Sequence, residues 1–393
     1  MKLWLFSGVL VFVSVLPLAT VPAAERTLNL PDVPYQYASV DLPSHFKQPA
    51  AEEFDNTPAD NPVTDAGATL GRVLFYDTRL SGNNTVSCGS CHVQGHAFVD
   101  PNRFSNGFDG GLTSRHAMNL VNLRYHPRAR FFWDERGGNL EAMVLLPVEN
   151  PLEMGMDLAK LPGTLAAEPR YATLFRQAFG DPEITNERIA RALAQFLRSM
   201  VSYQSRYDEG RRQTRSSQND FPNYTAEENR GKAVFLRNCA TCHLPAGVPF
   251  EARLKAAMRR KRSRTDQDAH FVMAGQPVNT GLDDDTARTD GGVGDITLKP
   301  LDAGRFKSPS LRNVEVTGPY MHDGRFPTLE AVLDHYSSGG KNDRNKDGRV
   351  QTHDRNGRPR QLTSIEKAAV IAFLKTLTDS KFLSDPRFSD PFK

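Results

Sequence analysis

Four cysteines in 393 residues are too few for a scaffold held together by disulfides. Beyond the stretch from Leu3 to Leu18 there is no long apolar run, so nothing later in the chain reads as a bilayer span. An excess of basic charge is missing too: the formal net charge is +3, with 24% charged residues. That is an ordinary globular surface, and it argues against a nucleic-acid partner. Strand-like alternation is scarce, which leaves a mainly α fold. Tryptophan is almost absent, with Trp4 and Trp133 the only two.

What is present begins with an export signal. Lys2, the apolar run and the small residues Val21-Pro22-Ala23-Ala24 have the layout of a secretory signal peptide over residues 1–24. Cleavage there would give a periplasmic protein with no stable membrane insertion; the other reading is an uncleaved anchor. The length suits two domains, read as residues 25–215 and 216–393.

The cysteines fall into two sets, Cys88-Gly89-Ser90-Cys91-His92 and Cys239-Ala240-Thr241-Cys242-His243. Each is the C-x-x-C-H pattern of c-type haem attachment. Two thiols three residues apart can form thioethers to the two vinyl groups of one porphyrin, and the next residue supplies an imidazole to the iron. The alternatives are disulfides or zinc, although a closed zinc site wants four ligands and each cluster has three. The expected cofactors are therefore two covalently bound haem c groups, one in each cytochrome-c-like half.

Apolar spacing predicts a helix over Ala66–Tyr76 just before the first motif, and another through Ile189–Met200 that closes the first half. Capping boxes at Thr225–Glu228 and Thr363–Glu366 start two helices of the second half. The proline-rich stretch from Thr27 to Asp60 reads as a surface arm, and Arg211–Asn223 as a linker. The basic run from Arg253 to Arg264 reads as a solvated face or a dock for an acidic partner. Asp343–Gly348 resembles the start of a calcium loop but reads better as a polar turn, since Asp354 stands where a bidentate Glu is usual.

With the haem motifs placed, the segments Leu70–Asp77, Phe132-Trp133-Asp134, Glu153-Met154, Phe306–Asn313 and Pro319–Gly324 resemble the bacterial di-haem cytochrome c peroxidase and MauG superfamily. The resemblance runs from about Asp65 to Asp379. It implies an N-terminal haem where hydrogen peroxide reacts and a C-terminal haem that exchanges electrons with it. It also implies that Trp133 relays electrons between the haems, and that Glu153 is the distal carboxylate that moves the peroxide proton. The family's distal glutamine is replaced by Met143, a thioether that cannot make the same hydrogen bond.

Two further positions indicate the branch. The distal histidine that caps the first haem in resting peroxidases would fall at Phe108, which cannot bind iron, so that haem is expected to be open. His96 and His116 remain as displaced alternatives. The sixth ligand of the second haem falls at Tyr336, as in MauG, with His335 the competing neighbour. A phenolate oxygen favours ferric over ferrous iron. The tryptophan through which MauG reaches its substrate is Arg237 here, which leaves Tyr203 or Tyr207 as substitute relays. The resemblance further implies one calcium ion between the domains, held by the carbonyls of Thr317 and Pro319, although His116 stands where an Asn ligand is usual.

Three functions follow. One is a MauG-like peroxidase that oxidises an external substrate, with a protein among the candidates. Another is a cytochrome c peroxidase fed by a small cytochrome c, a cupredoxin or another exported protein. The third is a di-haem electron carrier without chemistry of its own.

Overall fold

The computed structural model describes residues 27–47, 54–126, 128–214, 216–243, 276–350 and 361–392. The signal over 1–24, the basic run over 253–264 and Asp354 lie outside the described residues. Among those described, regular structure is helical, and β pairing is limited to isolated bridges such as Val93 with Val99 and Phe131 with Gly137.

The first half contains helices α1 (Asp65–Tyr76), α2 (Cys88–Cys91), α3 (Leu140–Met143), α4 (Pro169–Phe179) and α5 (Asn186–Ser199). Next come α6 (Arg206–Arg212), α7 (Ala226–Asn238), α8 (Ala240–His243), α9 (Leu329–Ser338) and α10 (Ser364–Lys375). The start of α1 is fixed by Thr64, whose hydroxyl accepts from Gly67 N. Both predicted capping boxes form, with Thr225 and Glu228 at α7 and Thr363 and Glu366 at α10.

Each half is organised by one close helix crossing. On α1, a Cβ at Gly71 would lie 2.0 Å from the Ala192 carbonyl of α5; on α7, one at Gly231 would lie 1.8 Å from the Ala369 carbonyl of α10. Only glycine lets the helix before each haem motif come this near to the helix that closes that half. Leu70, Val73, Leu74 and Phe75 of α1 are buried against Ile189, Leu193 and Phe196 of α5. Val234 and Phe235 of α7 meet Val370, Phe373 and Leu374 of α10 in the same way.

The chain crosses between the halves more than its order suggests. The last segment returns to the first core: Phe382, Phe388 and Phe392 are buried there, and Tyr76 Oη donates to the Phe388 carbonyl at 2.7 Å. Residues 211–223, expected as a linker, carry Phe221, which is buried in the second core with Tyr207 of α6. The proline-rich arm also enters the structure, with Tyr37, His45 and Phe46 each 2% exposed. His45 Nε2 lies 3.0 Å from Asp208, whose carboxylate takes both terminal nitrogens of Arg312 at 2.9 Å. Asp208 and Arg312 are fully buried, so this pair joins the arm, α6 and the Phe306–Asn313 segment out of reach of water.

Candidate active site and cofactor cavities

Two cavities follow from this frame. The first is lined by Cys88, Cys91, His92, Met143 and Glu153. The second is lined by Cys239, Cys242, His243, Tyr336, Thr317 and Pro319. Trp133, Lys307 and residues 116–119 line both. The indole is thus part of the wall that separates the two spaces.

The motif residues suit a haem in each. None of the four cysteines is in a disulfide, and two line each cavity. Burial pushes Cys88 and Cys239 up to about 12 and Cys91 to about 11, so these three are neutral at ordinary pH, unlike an activated nucleophilic thiolate. Among the described residues no three His, Cys, Asp or Glu side chains gather as a metal cluster, so the zinc reading finds no support. His92 Nδ1 lies 2.7 Å from the Phe98 carbonyl, which fixes the orientation of the ring. Burial lowers His243 to about 4, leaving the neutral imidazole that iron requires.

Glu153 lies on the turn after Asn150. Asn150 Nδ2 donates to its Oε1 at 2.9 Å, and the Asn150 carbonyl accepts from its backbone amide at 3.0 Å. Burial raises the carboxyl above its ordinary value, against the opposing pull of Arg136 and of the Asn150 hydrogen bond. Asn150 and Arg136 were not singled out from sequence, although both line this cavity. The Asn-x-x-Glu spacing and the arginine three residues after Trp133 were the available signals. Phe108, in place of the ligating histidine, does not line the cavity. Its amide donates to the Glu153 carbonyl at 2.9 Å and its ring packs on Gly155, so it braces the Glu153 turn. Met143 ends α3, is 7% exposed and faces the cavity.

Trp133 is held on a tight loop closed by the bridge between Phe131 and Gly137. Phe132 and Glu135 on either side have φ of 65° and 57°, a left-handed conformation that costs non-glycine residues about 1–2 kcal/mol each. Trp133 Nε1 donates to the His116 carbonyl at 2.8 Å, and its own carbonyl accepts from Lys307 N at 2.8 Å. Beside it, Asp134 accepts from Arg115 and Arg136, and Arg115 also grips Asp290 through two bonds of 2.7 Å. Lys307 was also missed from sequence. It is 4% exposed, and burial lowers it to about 8 against the attraction of Glu135.

In the second cavity Tyr336 is on the lining face of α9. His335 is turned away, with Nε2 3.0 Å from the Thr280 carbonyl, because adjacent helical residues point about 100° apart. Burial raises the Tyr336 phenol well above its usual value. His96 is directed to the Val316 carbonyl at 3.3 Å and does not line the first cavity; His116 does. Arg237 is on the surface, 3.5 Å from Glu366. Tyr207 is buried among Phe221 and Phe373 at ring separations of 5.3 and 6.4 Å, and Tyr203 is half-buried.

The calcium expectations fare differently from the haem ones. Asp343 is paired with Arg288 and Asp347 with Arg349, so the carboxylates of the loop over 343–348 are already spent on arginines. The imidazole of His116 lies beside the Thr317 carbonyl, at the position where the family's Asn ligand falls, and supplies no oxygen to a calcium ion.

Comparison with known proteins agrees with this arrangement. Residues 65–216 match the family described as di-haem cytochrome c peroxidase. The methylamine utilization protein MauG of Methylorubrum extorquens is 33% identical over 341 residues, covering 86% of this chain and 84% of that protein. Cytochrome c551 peroxidase of Nitrosomonas europaea is 28% identical over 330 residues, covering 84% and 85%. Among solved structures, a MauG-like protein associated with microbial copper homeostasis superposes with a TM-score of 0.73 at 32% identity, covering 90% of this chain and 99% of that one. The di-haem peroxidase BthA of Burkholderia thailandensis shares the fold at a TM-score of 0.63 and 22% identity. The chain is a member of the di-haem cytochrome c peroxidase and MauG family, a peroxidase on its MauG-like side.

Proposed function

We propose that the first cavity is where hydrogen peroxide is consumed, and that the oxidising power so obtained is shared with the second cavity and spent on an external, protein-sized substrate. The observation that carries this reading is Trp133, which borders both cavities while Glu153 faces only the first. A haem c held by Cys88, Cys91 and His92, and another held by Cys239, Cys242, His243 and Tyr336, would supply the redox chemistry. The chain's own residues do the rest. Glu153, with its carboxyl raised by burial and steadied by Asn150, takes the proton from the near peroxide oxygen and returns it to the departing one. Arg136 lines the same space and keeps the carboxylate form accessible. Phe108 braces the Glu153 turn and cannot itself bind iron where resting peroxidases place a histidine.

Trp133 is oriented by the His116 carbonyl and by the backbone of Lys307, which suits it to pass electrons between the cavities. Tyr336 offers a phenol oxygen on the wall of the second cavity, which would have to lose its proton to bind iron as phenolate, and His335 is already engaged with Thr280. Export through the segment over 1–24 accords with haem attachment and with the lack, among the described residues, of any helix long and apolar enough to cross a membrane.

Relatives named cytochrome c peroxidases support a second reading, in which a small cytochrome c or cupredoxin supplies electrons for peroxide removal. Mixing the fully oxidised di-haem protein with one equivalent of peroxide separates them. Spectral change at both haems without prior reduction is expected. Reactivity that appears only after half-reduction would favour the second reading, and none in either state would leave an electron carrier.

A further inference from the structure

Between the two cavities is a place shaped by backbone oxygens, and a side chain fills it. The amide of His116 donates to the His322 carbonyl at 2.8 Å, and the His116 carbonyl accepts from Trp133 Nε1 at 2.8 Å, so this residue is pinned where the halves meet. Its ring is buried, with Nδ1 3.3 Å from the Arg103 carbonyl. Burial lowers the pKa of the ring against the opposing pull of the Arg103, Asn102 and Thr317 carbonyls, so it is a neutral imidazole with one N–H. Gly324 packs its backbone directly on Arg103, which leaves the pocket no slack.

The carbonyls beside the ring, those of Arg103, Asn102 and Thr317, amount to at most three oxygens, whereas calcium needs six to eight at 2.3–2.6 Å. An imidazole among them takes the room and supplies no oxygen. Asp100, the carboxylate that acts on this ring, is already bonded to Asn102 N at 2.7 Å and to its side-chain amide at 3.0 Å. The ring can do by hydrogen bonding what an ion does by coordination, because an N–H satisfies a buried carbonyl without carrying a shell of further ligands. Its Nε2 makes no hydrogen bond among the described residues, and the residue lines both cavities.

We propose that the His116 imidazole takes the place of the interdomain calcium, so that the two halves of this chain are joined without a metal ion. The test uses the purified di-haem protein. After dialysis against EGTA it should hold far less than one calcium per chain, and its Tm should be the same in EGTA as in calcium at about 1 mM, the weak end of extracellular calcium sites. His116→Asn, which puts an amide oxygen where the imidazole was, should raise the occupancy from near none to near one per chain and make Tm rise with added calcium; His116→Gln serves if that variant does not fold. Wild-type protein that retains one calcium, or that loses Tm on chelation, overturns the proposal. So does failure of both variants to acquire calcium. A change of spin state at the first haem in His116→Asn without calcium uptake also overturns it, since His116 would then be an iron ligand.

Discussion

Replacing Glu153 with Gln tests the peroxide chemistry with little change of shape. The glutamine has the same length, and its carbonyl oxygen can still accept from Asn150 Nδ2, as Oε1 does now at 2.9 Å. What is lost is a group that can take and return a proton. Among the described residues Glu153 is the only carboxylate lining the first cavity, and Met143 adds no proton-transferring group. The loss should therefore be near the full contribution of a positioned acid/base group, about 100- to 10,000-fold, or roughly 3–5 kcal/mol in the barrier. The assay is stopped-flow mixing of oxidised protein with peroxide. The pH dependence sharpens it: since burial raises the Glu153 carboxyl, the rate in wild type should fall with decreasing pH around a value above the ordinary 4.5. In Glu153→Gln that acid limb should vanish along with the rate. A variant within a few-fold of wild type, or one that keeps the limb, would refute the assignment.

Trp133→Phe keeps an aromatic wall between the cavities but loses the hydrogen bond to the His116 carbonyl and the readily oxidised indole; peroxide should still react at the first haem while the response of the second slows by at least tenfold in the same stopped-flow record. Tyr336→Phe should change the EPR signature of the second haem, whereas His335→Ala should leave it unaltered; the reverse pattern would exchange their roles. Arg312→Met strands the buried Asp208 charge and should cost about 3–5 kcal/mol, read as a lower Tm. Because Arg312 and His45 hold the folded Asp208 carboxyl below its unfolded value, the stability it contributes is complete above about pH 4 and lost as pH falls through the lowered value, so acid should narrow the gap between variant and wild type.

Much of the site was legible because its chemistry depends on short spacings. C-x-x-C-H needs only neighbours to define it, and the capping boxes at Thr225 and Thr363 formed as read because a cap is satisfied within one turn. The arm over 27–60 was harder. Its prolines indicate an extended path but not that Tyr37 and His45 would be drawn into two different buried clusters. Phe221 was hidden in the same way by the polar residues around it. Lys307, Asn150 and Arg136 were missed because each becomes functional only through a cavity wall assembled from distant segments.

Sequence by itself determined the two haem attachment motifs, the helix before each, the carboxylate and indole at Glu153 and Trp133, and the exclusion of histidine at position 108. Each is a matter of residue identity or of spacing within a few turns. Tertiary structure alone decided which of two adjacent side chains, His335 or Tyr336, faces the second cavity. It also decided that the C-terminal tail completes the first core, and that the His116 ring is buried against the Arg103 carbonyl. Those outcomes depend on helix phase and on contacts between residues hundreds of positions apart, and local pattern carries no information about either.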